Sequence, residues 1–328
     1  MSPKAVAEHR ALEAVPARFR PSRLFPLREK VPRALRIVYK DVRIAFTPVR
    51  TPEQRRYLFI FGCQRSGTTL LTHIFERDVN AKVYGEHSKL SSRDTAEALR
   101  LNPVPEVLAE LDGSKYRLTA AKPLVESQNA GRLLKTIPGL KAIWLFRRYA
   151  DVASSDLKLF GPRNGIANLR PIAANDADDW RCQNLGPATR RVVESLFDED
   201  MSPYDAAALF WYVRNALFFE QSLDEEPSVL LVRYEDLVSQ PEEQIRRIYR
   251  FVGAPFPGPQ ITGMVNARSV GKGANIELSD PVRGLCDELH ERLMRAYRGQ
   301  IEAGGVPFGA GAGTHVAQAP ALTPGRRP

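Results

Sequence analysis

A short polar stretch contains the residue types that bind an oxyanion: Arg65-Ser66-Gly67-Thr68-Thr69-Leu70. Gly67 lets the backbone approach a ligand closely, and Ser66, Thr68 and Thr69 supply hydroxyl donors. Arg65 can hold an oxyanion with two parallel hydrogen bonds. Five bulky apolar residues, 57–61, predict a buried strand before the stretch, and apolar residues at helical spacing predict a helix after it. Such a turn delivers backbone N–H groups to an anion at the start of the helix.

The same stretch departs from a Walker A loop at one position. Gly62 and Gly67 have the spacing of its two glycines, but Thr68 stands where that motif requires lysine. A nucleoside triphosphatase needs this lysine and Mg²⁺ at the β- and γ-phosphates. The substitution therefore favours a nucleotide that has no γ-phosphate.

The pattern from Arg65 to Leu70 resembles the 5′-phosphosulfate-binding loop of sulfotransferases that use 3′-phosphoadenosine 5′-phosphosulfate (PAPS). Its Arg-Ser-Gly form is more similar to the tyrosylprotein, carbohydrate and bacterial members than to the cytosolic branch, where lysine precedes Ser-Gly. The resemblance implies that this loop binds PAPS and its product, adenosine 3′,5′-bisphosphate. The residues implied in nucleotide binding are Arg65, Ser66, Gly67, Thr68, Thr69 and Leu70.

A second oxyanion site is predicted where the apolar run 140–146 ends. In the resembling family, an arginine at the end of such a strand and a serine eight positions later hold the 3′-phosphate. Arg147 and Ser155 have this spacing, and Arg148 and Ser154 are the neighbouring alternatives. Asp151, in the first turn of the following helix, is expected to cap it.

The candidate general base is Glu86, which follows the short predicted strand 81–84. In a parallel sheet, this position lies at the carboxyl ends of the strands, where open α/β sheets bind ligands. A carboxylate there could accept the proton of an attacking hydroxyl. The pair Gly85-Glu86 resembles the Gly-Glu whose glutamate is the base in tyrosylprotein sulfotransferases, with His87 as the rival residue.

Lys122-Pro123 resembles a lysine-containing segment that ends a strand in tyrosylprotein and heparan sulfotransferases. The lysine of those enzymes helps to neutralise the sulfuryl group and the leaving oxygen. The resemblance implies that Lys122 shares this catalytic role with Arg65. A fixed cation at this position would stabilise the negative charge that transfer leaves on the bridging oxygen.

Two later segments complete the predicted nucleotide site. Tyr234 follows the predicted strand residues 229–233 and begins a Tyr-Glu-Asp-Leu sequence that resembles a segment of the sulfotransferases. Its side chain could contact the nucleotide base. Glu235 and Asp236 are the second and third candidates for the base of the reaction. Lys272, in the basic glycine-containing loop 268–275, could reach the 3′-phosphate.

The order of strands and helices predicts the fold class. Strands at 57–61, 81–84, 116–121, 140–146 and 229–234 alternate with helices, including 204–222, 241–252 and 281–297. This alternation predicts one α/β domain, with a central parallel sheet flanked by helices. The resemblance implies the same P-loop-like fold. The domain is predicted at 57–303, after a basic N-terminal arm (1–56) and before a disordered tail (304–328).

Two segments have less regular composition. Residues 160–187 are rich in Gly, Pro, Asn and Asp, which predicts a surface loop or lid that recognises the acceptor. In the arm, residues 42–46 alternate like a strand, although Val31, Leu35, Val38 and Val42 could also line one face of a helix.

Charge and composition indicate which partners and which cellular compartment to expect. The chain of 328 residues has a net charge of +9, and residues 1–56, with 14 Lys/Arg against 5 Asp/Glu, account for this surplus. The arm is predicted to pack on the domain, and residues 20–50 are compatible with peripheral contact with an anionic membrane. Nucleic acid is not an expected partner, because the arm has few aromatic residues. Three scattered cysteines indicate a reducing cytoplasm, and no metal site is predicted.

The predicted function is transfer of a sulfuryl group from PAPS to an acceptor hydroxyl, with an amine as the less favoured acceptor. Carbohydrates, glycolipids, tyrosine and small molecules remain open as acceptors, and the sequence does not indicate an oligomeric state. A P-loop kinase acting on a small molecule is the alternative from another reaction class. A nucleotide-binding scaffold without catalysis is the second alternative.

Overall fold

A computed structural model describes residues 33–47, 51–92 and 99–304. Within these ranges, five strands form one sheet in the order β2-β3-β1-β4-β5. All neighbouring strands are parallel. The sheet confirms the predicted α/β class, and its strands are β1 (Arg56–Gly62), β2 (Ala81–Tyr84), β3 (Leu118–Ala121), β4 (Leu140–Phe146) and β5 (Val229–Arg233).

Helices cover both faces of this sheet. The described helices are α1 (Arg33–Ala45), α2 (Thr68–Glu76), α3 (Val104–Asp112), α4 (Ala130–Thr136), α5 (Tyr149–Phe160), α6 (Asn164–Ala173), α7 (Pro187–Leu196), α8 (Pro203–Glu220), α9 (Tyr234–Ser239), α10 (Pro241–Val252) and α11 (Asp280–Glu302). Short 3₁₀ turns lie at Pro52–Gln54, Leu124–Asn129, Trp180–Cys182 and Pro259–Ile261.

The sheet separates two apolar cores because successive side chains of a strand point to opposite faces. In β1, Phe59 and Phe61 contribute to one core, which also contains α5, α6, α8 and α11. Leu58 and Ile60 contribute to the other core, together with α2 and α10. The sheet is therefore buried on both faces, which explains the continuous apolar runs in β1 and β4.

The segment 160–187 is only in part the loop that its composition predicts, because a helix occupies its first half. Helix α6 occupies residues 164–173, and its side chains Ile166, Leu169 and Ile172 are buried in the core that contains α8. Their spacing of three residues forms an apolar face, which the intervening Asn, Gly and Pro residues obscure in the sequence. Tertiary packing stabilises this helix despite its weak local propensity.

The described part of the N-terminal arm forms a helix, and the strand-like alternation at 42–46 was misleading. Ile44 is buried, Lys40 donates to the carbonyl oxygen of Glu76 at 3.1 Å, and Tyr116 donates to Asp41 at 2.7 Å. These contacts place α1 beside the end of α2 and the amino ends of β2 and β3. Among the described residues, none of the helices has the length and apolar character needed to cross a bilayer.

Parts of the predicted domain division lie outside the described residues. These parts are residues 1–32 and 48–50 of the arm, 93–98 of the domain and 305–328 of the tail. The proposed boundaries after residues 56 and 303 stay predictions.

Candidate active site

The predicted site residues meet at the carboxyl edge of the sheet. The anion loop (residues 63–67) follows β1, Glu86 follows β2 and Lys122 follows β3. Arg147 follows β4, and Tyr234 follows β5. Each residue comes directly after a buried strand, so the parallel sheet brings five distant segments of the chain to one edge.

The backbone of the anion loop adopts conformations that require its glycine. Gly67 has φ of 97° and directly precedes α2. A Cβ atom at this position would lie 2.3 Å from the Tyr234 ring, so larger residues are excluded both by space and by backbone conformation. Arg65 also has positive φ, at 65°. The resulting turn directs the N-terminal N–H groups of α2 towards the cleft at the sheet edge.

The two predicted oxyanion sites are in direct contact. Arg65 Nε donates to Ser155 Oγ at 3.1 Å, and Arg147 Nη1 donates to the carbonyl oxygen of Arg65 at 3.3 Å. Arg147 is buried, whereas the alternative Arg148 is exposed. Ser154, the other alternative, lies against the late loop and donates to the carbonyl oxygen of Lys272 at 3.5 Å. The geometry therefore pairs Arg147 and Ser155 with the anion loop.

Arg65 lies in a partly desolvated environment. Burial lowers the pKa of its guanidinium, while the nearby carboxyl of Asp156 acts in the opposite direction. Burial in turn raises the pKa of Asp156, which accepts a hydrogen bond from Asn164 at 2.8 Å. A cation held in low dielectric interacts more strongly with an incoming anion than a cation in water does.

Two buried polar groups at this site have no hydrogen-bond partner in the part of the chain that the structure describes. They are the hydroxyl of Ser66 and Nε of Arg147. Both can donate, and a buried donor without a partner is costly. A bound group with several phosphate or sulfate oxygens would satisfy them, so these residues fit the bisphosphorylated nucleotide that the sequence predicts.

Lys122 connects the base candidate to the anion loop. Its Nζ lies 3.0 Å from Glu86 Oε2 and donates to Thr69 Oγ1 at 3.1 Å. Glu86 is partly buried and His87 is exposed. A carboxylate, a cation and the first turn of α2 thus converge on one point of the cleft.

The two other base candidates have structural contacts instead. Glu235 accepts a hydrogen bond from the backbone N–H of Arg148 at 3.0 Å, and Arg233 lies 3.2 Å from both Glu235 and Asp236. Burial and a hydrogen bond to Asp236 raise the pKa of Tyr297. These carboxylates therefore join α9 to its neighbours and lie apart from the group around Lys122.

Tyr234 links the anion loop to the late loop (residues 268–273). Its ring packs on Gly67 and lies 4.5 Å from the guanidinium of Arg147. Its hydroxyl hydrogen-bonds to the hydroxyl of Ser269, and Arg147 donates to the carbonyl oxygen of Ser269. Tyr234 is therefore buried among three predicted anion-binding elements, and the side chain of Lys272 is exposed at their rim.

Asp151 does not cap α5, contrary to the expectation from sequence. Its side chain accepts hydrogen bonds from the backbone N–H groups of Gly271 at 2.9 Å and Gly273 at 2.7 Å. It also lies 3.5 Å from Nη2 of Arg147. The late loop supplies donors to this carboxylate from 120 residues away in sequence, which a local helix-start pattern could not reveal. Asp151 thus fixes the late loop beside Arg147.

We expect Gly273→Ala to detach the late loop from α5. A Cβ atom at residue 273 would lie 2.1 Å from the carbonyl oxygen of Ala150, and backbone atoms cannot move aside as a flexible side chain can. Limited proteolysis should show faster cleavage within the late loop. Gly284→Ala is the matched control, because a Cβ atom there meets nothing within 4 Å. Equal cleavage rates in both variants would contradict the predicted clash.

Arg214 is a site residue that the sequence analysis missed. It is buried in α8 and donates to the carbonyl oxygens of Gly62 at 3.3 Å and Leu124 at 2.6 Å, and to Gln128 at 2.8 Å. It therefore joins the end of β1 to the segment after Lys122. Burial lowers its pKa to about 10. The available signal was an arginine within the otherwise apolar sequence of α8.

Arg214→Leu should destabilise the protein by about 3 kcal/mol, because three buried acceptors would each lose a charged donor and the single hydroxyl hydrogen of Ser127 can serve only one of the two carbonyl oxygens. Chemical denaturation would measure this change in the free energy of unfolding. Arg132→Leu, at an exposed position on α4, should change it by less than about 0.5 kcal/mol. If both variants unfold at the same denaturant concentration, the network around Arg214 does not stabilise the fold.

No group of three or more His, Cys, Asp or Glu side chains that could hold a metal ion occurs within residues 33–47, 51–92 and 99–304. The three cysteines are buried and unpaired. Burial raises the pKa of the thiol of Cys63, the first residue of the anion loop. Cys63 is therefore a packing residue of this edge, because the thiolate form is disfavoured.

Comparisons with solved structures return sulfotransferases. The sulfotransferase domain of the Synechococcus PCC 7002 olefin synthase is 17% identical, with a TM-score of 0.41 over 76% of this chain and 98% of that one. Mouse sulfotransferase SULT7A1, solved with PAP, is 15% identical, with a TM-score of 0.38 over 77% and 90%. Sulfotransferase STF9 from Mycobacterium avium is 10% identical, with a TM-score of 0.35 over 83% and 81%.

A search of curated protein sequences finds no match. The family model for the sulfotransferase domain, by contrast, matches residues 55–273. This range begins before the anion loop and ends with the late loop, so it includes every predicted site residue from Arg65 to Lys272. The chain therefore belongs to the sulfotransferase domain family.

Proposed function

We propose that this protein transfers a sulfuryl group from PAPS to an acceptor hydroxyl. The observation that carries the proposal is the position of Lys122, whose Nζ lies within 3.1 Å of both Glu86 and Thr69. A proton acceptor, a cation and an anion-binding helix start are therefore held together at one edge of the sheet. This is the set of groups that in-line transfer of a sulfuryl group to a hydroxyl requires.

The proposed donor site consists of the two adjacent anion-binding sets. The loop from Arg65 to Leu70 would hold the 5′-phosphosulfate with its backbone N–H groups and hydroxyls. Arg147 and Ser155 would hold the 3′-phosphate, with Lys272 at the rim. Support comes from the 3.1 Å contact between Arg65 and Ser155, and from the Ser66 hydroxyl and Arg147 Nε, which find no hydrogen-bond partner among the described residues. Tyr234 would border the base of the nucleotide.

In the proposed reaction, the acceptor oxygen forms a bond to sulfur as the bond from sulfur to the 5′-phosphate oxygen breaks. The products are a sulfate ester and adenosine 3′,5′-bisphosphate. Glu86 takes the hydroxyl proton, so positive charge does not build up on the attacking acceptor oxygen. Lys122 and Arg65 stabilise the negative charge that develops on the sulfuryl group and the leaving oxygen.

A nucleotide comparison tests the proposal. The protein is incubated with PAPS and separately with ATP and Mg²⁺, and binding of adenosine 3′,5′-bisphosphate is measured by calorimetry. We expect the bisphosphate to bind and labelled sulfate to move from PAPS to a hydroxyl acceptor in an acceptor screen. Turnover of ATP without bisphosphate binding would contradict the proposal and indicate a kinase.

Asp151→Asn should weaken binding of adenosine 3′,5′-bisphosphate by about tenfold, because the amide has one acceptor oxygen where the carboxylate has two. One backbone N–H of the late loop would lose its partner, and Arg147 would lose the neighbouring charge. Calorimetry measures this change. Asp224→Asn, at an exposed position after α8, is the control and should bind normally. Normal affinity of the Asp151 variant would show that the late loop does not contribute to nucleotide binding.

A further inference from the structure

We propose that α1 docks the protein on an anionic membrane surface. Four apolar side chains, Val38, Tyr39, Val42 and Phe46, form what we call the outer face. All four are more than half exposed, and Phe46 is 87% exposed. In the described part of the chain, the other exposed large apolar side chains lie on four separate segments, at Leu99, Phe160, Val270 and Ile301.

Contacts with the domain hold this face outward. Helical spacing places Tyr39 and Val42 on one side of α1, with Val38 beside them, and places Lys40 and Ile44 on the other side. Phe46 directly follows the end of the helix. Lys40 and Ile44 are buried, and Lys115 donates to the carbonyl oxygen of Ala45 at 3.4 Å. The helix therefore buries Lys40 with Ile44 and leaves a second apolar side turned to solvent, where a helix packed on a core usually carries polar residues.

Charge identifies the partner as an anionic surface. Arg43 is exposed and follows Val42, so it borders the outer face. Residues 1–56 contain 14 Lys/Arg against 5 Asp/Glu, and the rest of the chain is neutral. An apolar stripe beside an exposed arginine, in a strongly basic segment of the chain, matches the pattern of helices that lie in the membrane interface. Anionic headgroups attract such basic segments over roughly one Debye length.

The same charge disfavours a second copy of the chain as the occupant. A symmetric dimer would bring the outer face of one copy against the identical face of the other. Each copy would then place its exposed Arg43 near that of its partner, and like charges repel. A bilayer with anionic lipids accepts the apolar side chains and also neutralises the surrounding basic residues.

The proposal is independent of the chemistry at the candidate active site. Helix α1 lies against the amino ends of β2 and β3, whereas Glu86 and Lys122 follow the carboxyl ends of these strands. The outer face and the cleft therefore lie at opposite edges of the sheet. A docked protein would keep its cleft open to the aqueous phase.

Vesicle flotation of the full chain tests the proposal. Vesicles of phosphatidylcholine alone are compared with vesicles that contain about 30% phosphatidylserine. We expect the protein to float with the anionic vesicles, and high salt to weaken the binding. The double variant Val42→Ser/Phe46→Ser should lower the bound fraction by about tenfold or more. Ile301→Ser, at an exposed position on α11, is the matched control and should float normally.

Three outcomes would overturn the proposal. They are failure of the unmodified protein to float with anionic vesicles, flotation that the double variant retains, and flotation that the Ile301→Ser control loses equally. Sedimentation in solution adds a separate arm, in which a dimer that the double variant abolishes would identify a second copy as the occupant. Unchanged thermal unfolding of the double variant shows that its loss of flotation does not come from misfolding.

Discussion

Glu86→Gln should lower turnover by about 10²- to 10⁴-fold while adenosine 3′,5′-bisphosphate still binds. The amide keeps the size of the side chain and its position near Lys122, but it cannot take the proton of the attacking hydroxyl. The proposed nucleotide contacts are the anion loop and Arg147, so calorimetry should give nearly the same dissociation constant. Single-turnover transfer of labelled sulfate from PAPS would measure the chemical step directly.

Two further variants make this result specific. His87→Ala should keep most activity, because His87 is exposed and Glu86 is the carboxylate that lies at Lys122. Glu106→Gln, at an exposed position in the first turn of α3, controls for the loss of one carboxylate. Loss of turnover in the His87 variant with retention in the Glu86 variant would assign the base to the histidine. Unchanged turnover in both would show that neither residue is the base. A nucleotide-binding scaffold, which the sequence also allowed, would instead bind the bisphosphate while the unmodified protein transfers no sulfate.

Lys122→Met should lower turnover by about 10²- to 10³-fold, which is the usual effect of removing one preorganised group that stabilises transition-state charge. Methionine retains much of the aliphatic length of the lysine, so packing at the end of β3 should be preserved. The effect should fall mainly on turnover, because the charge that Lys122 is proposed to stabilise develops only during transfer. Steady-state kinetics with varied PAPS would measure turnover and the KM for PAPS separately.

Lys135→Met serves as the matched control for this variant. Lys135 lies in the last turn of α4, with its side chain exposed. We expect this control to have the same turnover as the unmodified protein. If Lys122→Met instead raised the KM for PAPS without lowering turnover, Lys122 would be a binding residue of the ground state, and the stabilising role would pass to Arg65 alone.

Local sequence patterns predicted the sheet and the anion loop because the physics involved is local. A strand buried on both faces needs a continuous apolar run, and a tight turn with positive φ needs glycine. These requirements involve neighbouring residues, so β1, the turn at Gly67 and the start of α2 can be predicted from the sequence. The eight-residue spacing of Arg147 and Ser155 is equally local, since both belong to one strand end and the helix that follows it.

Long-range packing decided the features that the sequence predicted wrongly or missed. Helix α6 forms because Ile166, Leu169 and Ile172 bury against α8, although their local sequence favours a loop. Asp151 binds Gly271 and Gly273 because the late loop returns to α5. Local sequence patterns do not reveal either contact, because each contact joins segments that are far apart along the chain.

The sequence by itself therefore determined the α/β class, the parallel strands and the residue types at the carboxyl edge of the sheet. Only the tertiary structure separated Arg147 from Arg148, joined Glu86 to Lys122, and turned the apolar side of α1 to solvent. The physical reason is that strands, turns and helix starts depend on near neighbours. The identity of a buried partner depends on which distant segments the fold brings within hydrogen-bonding distance.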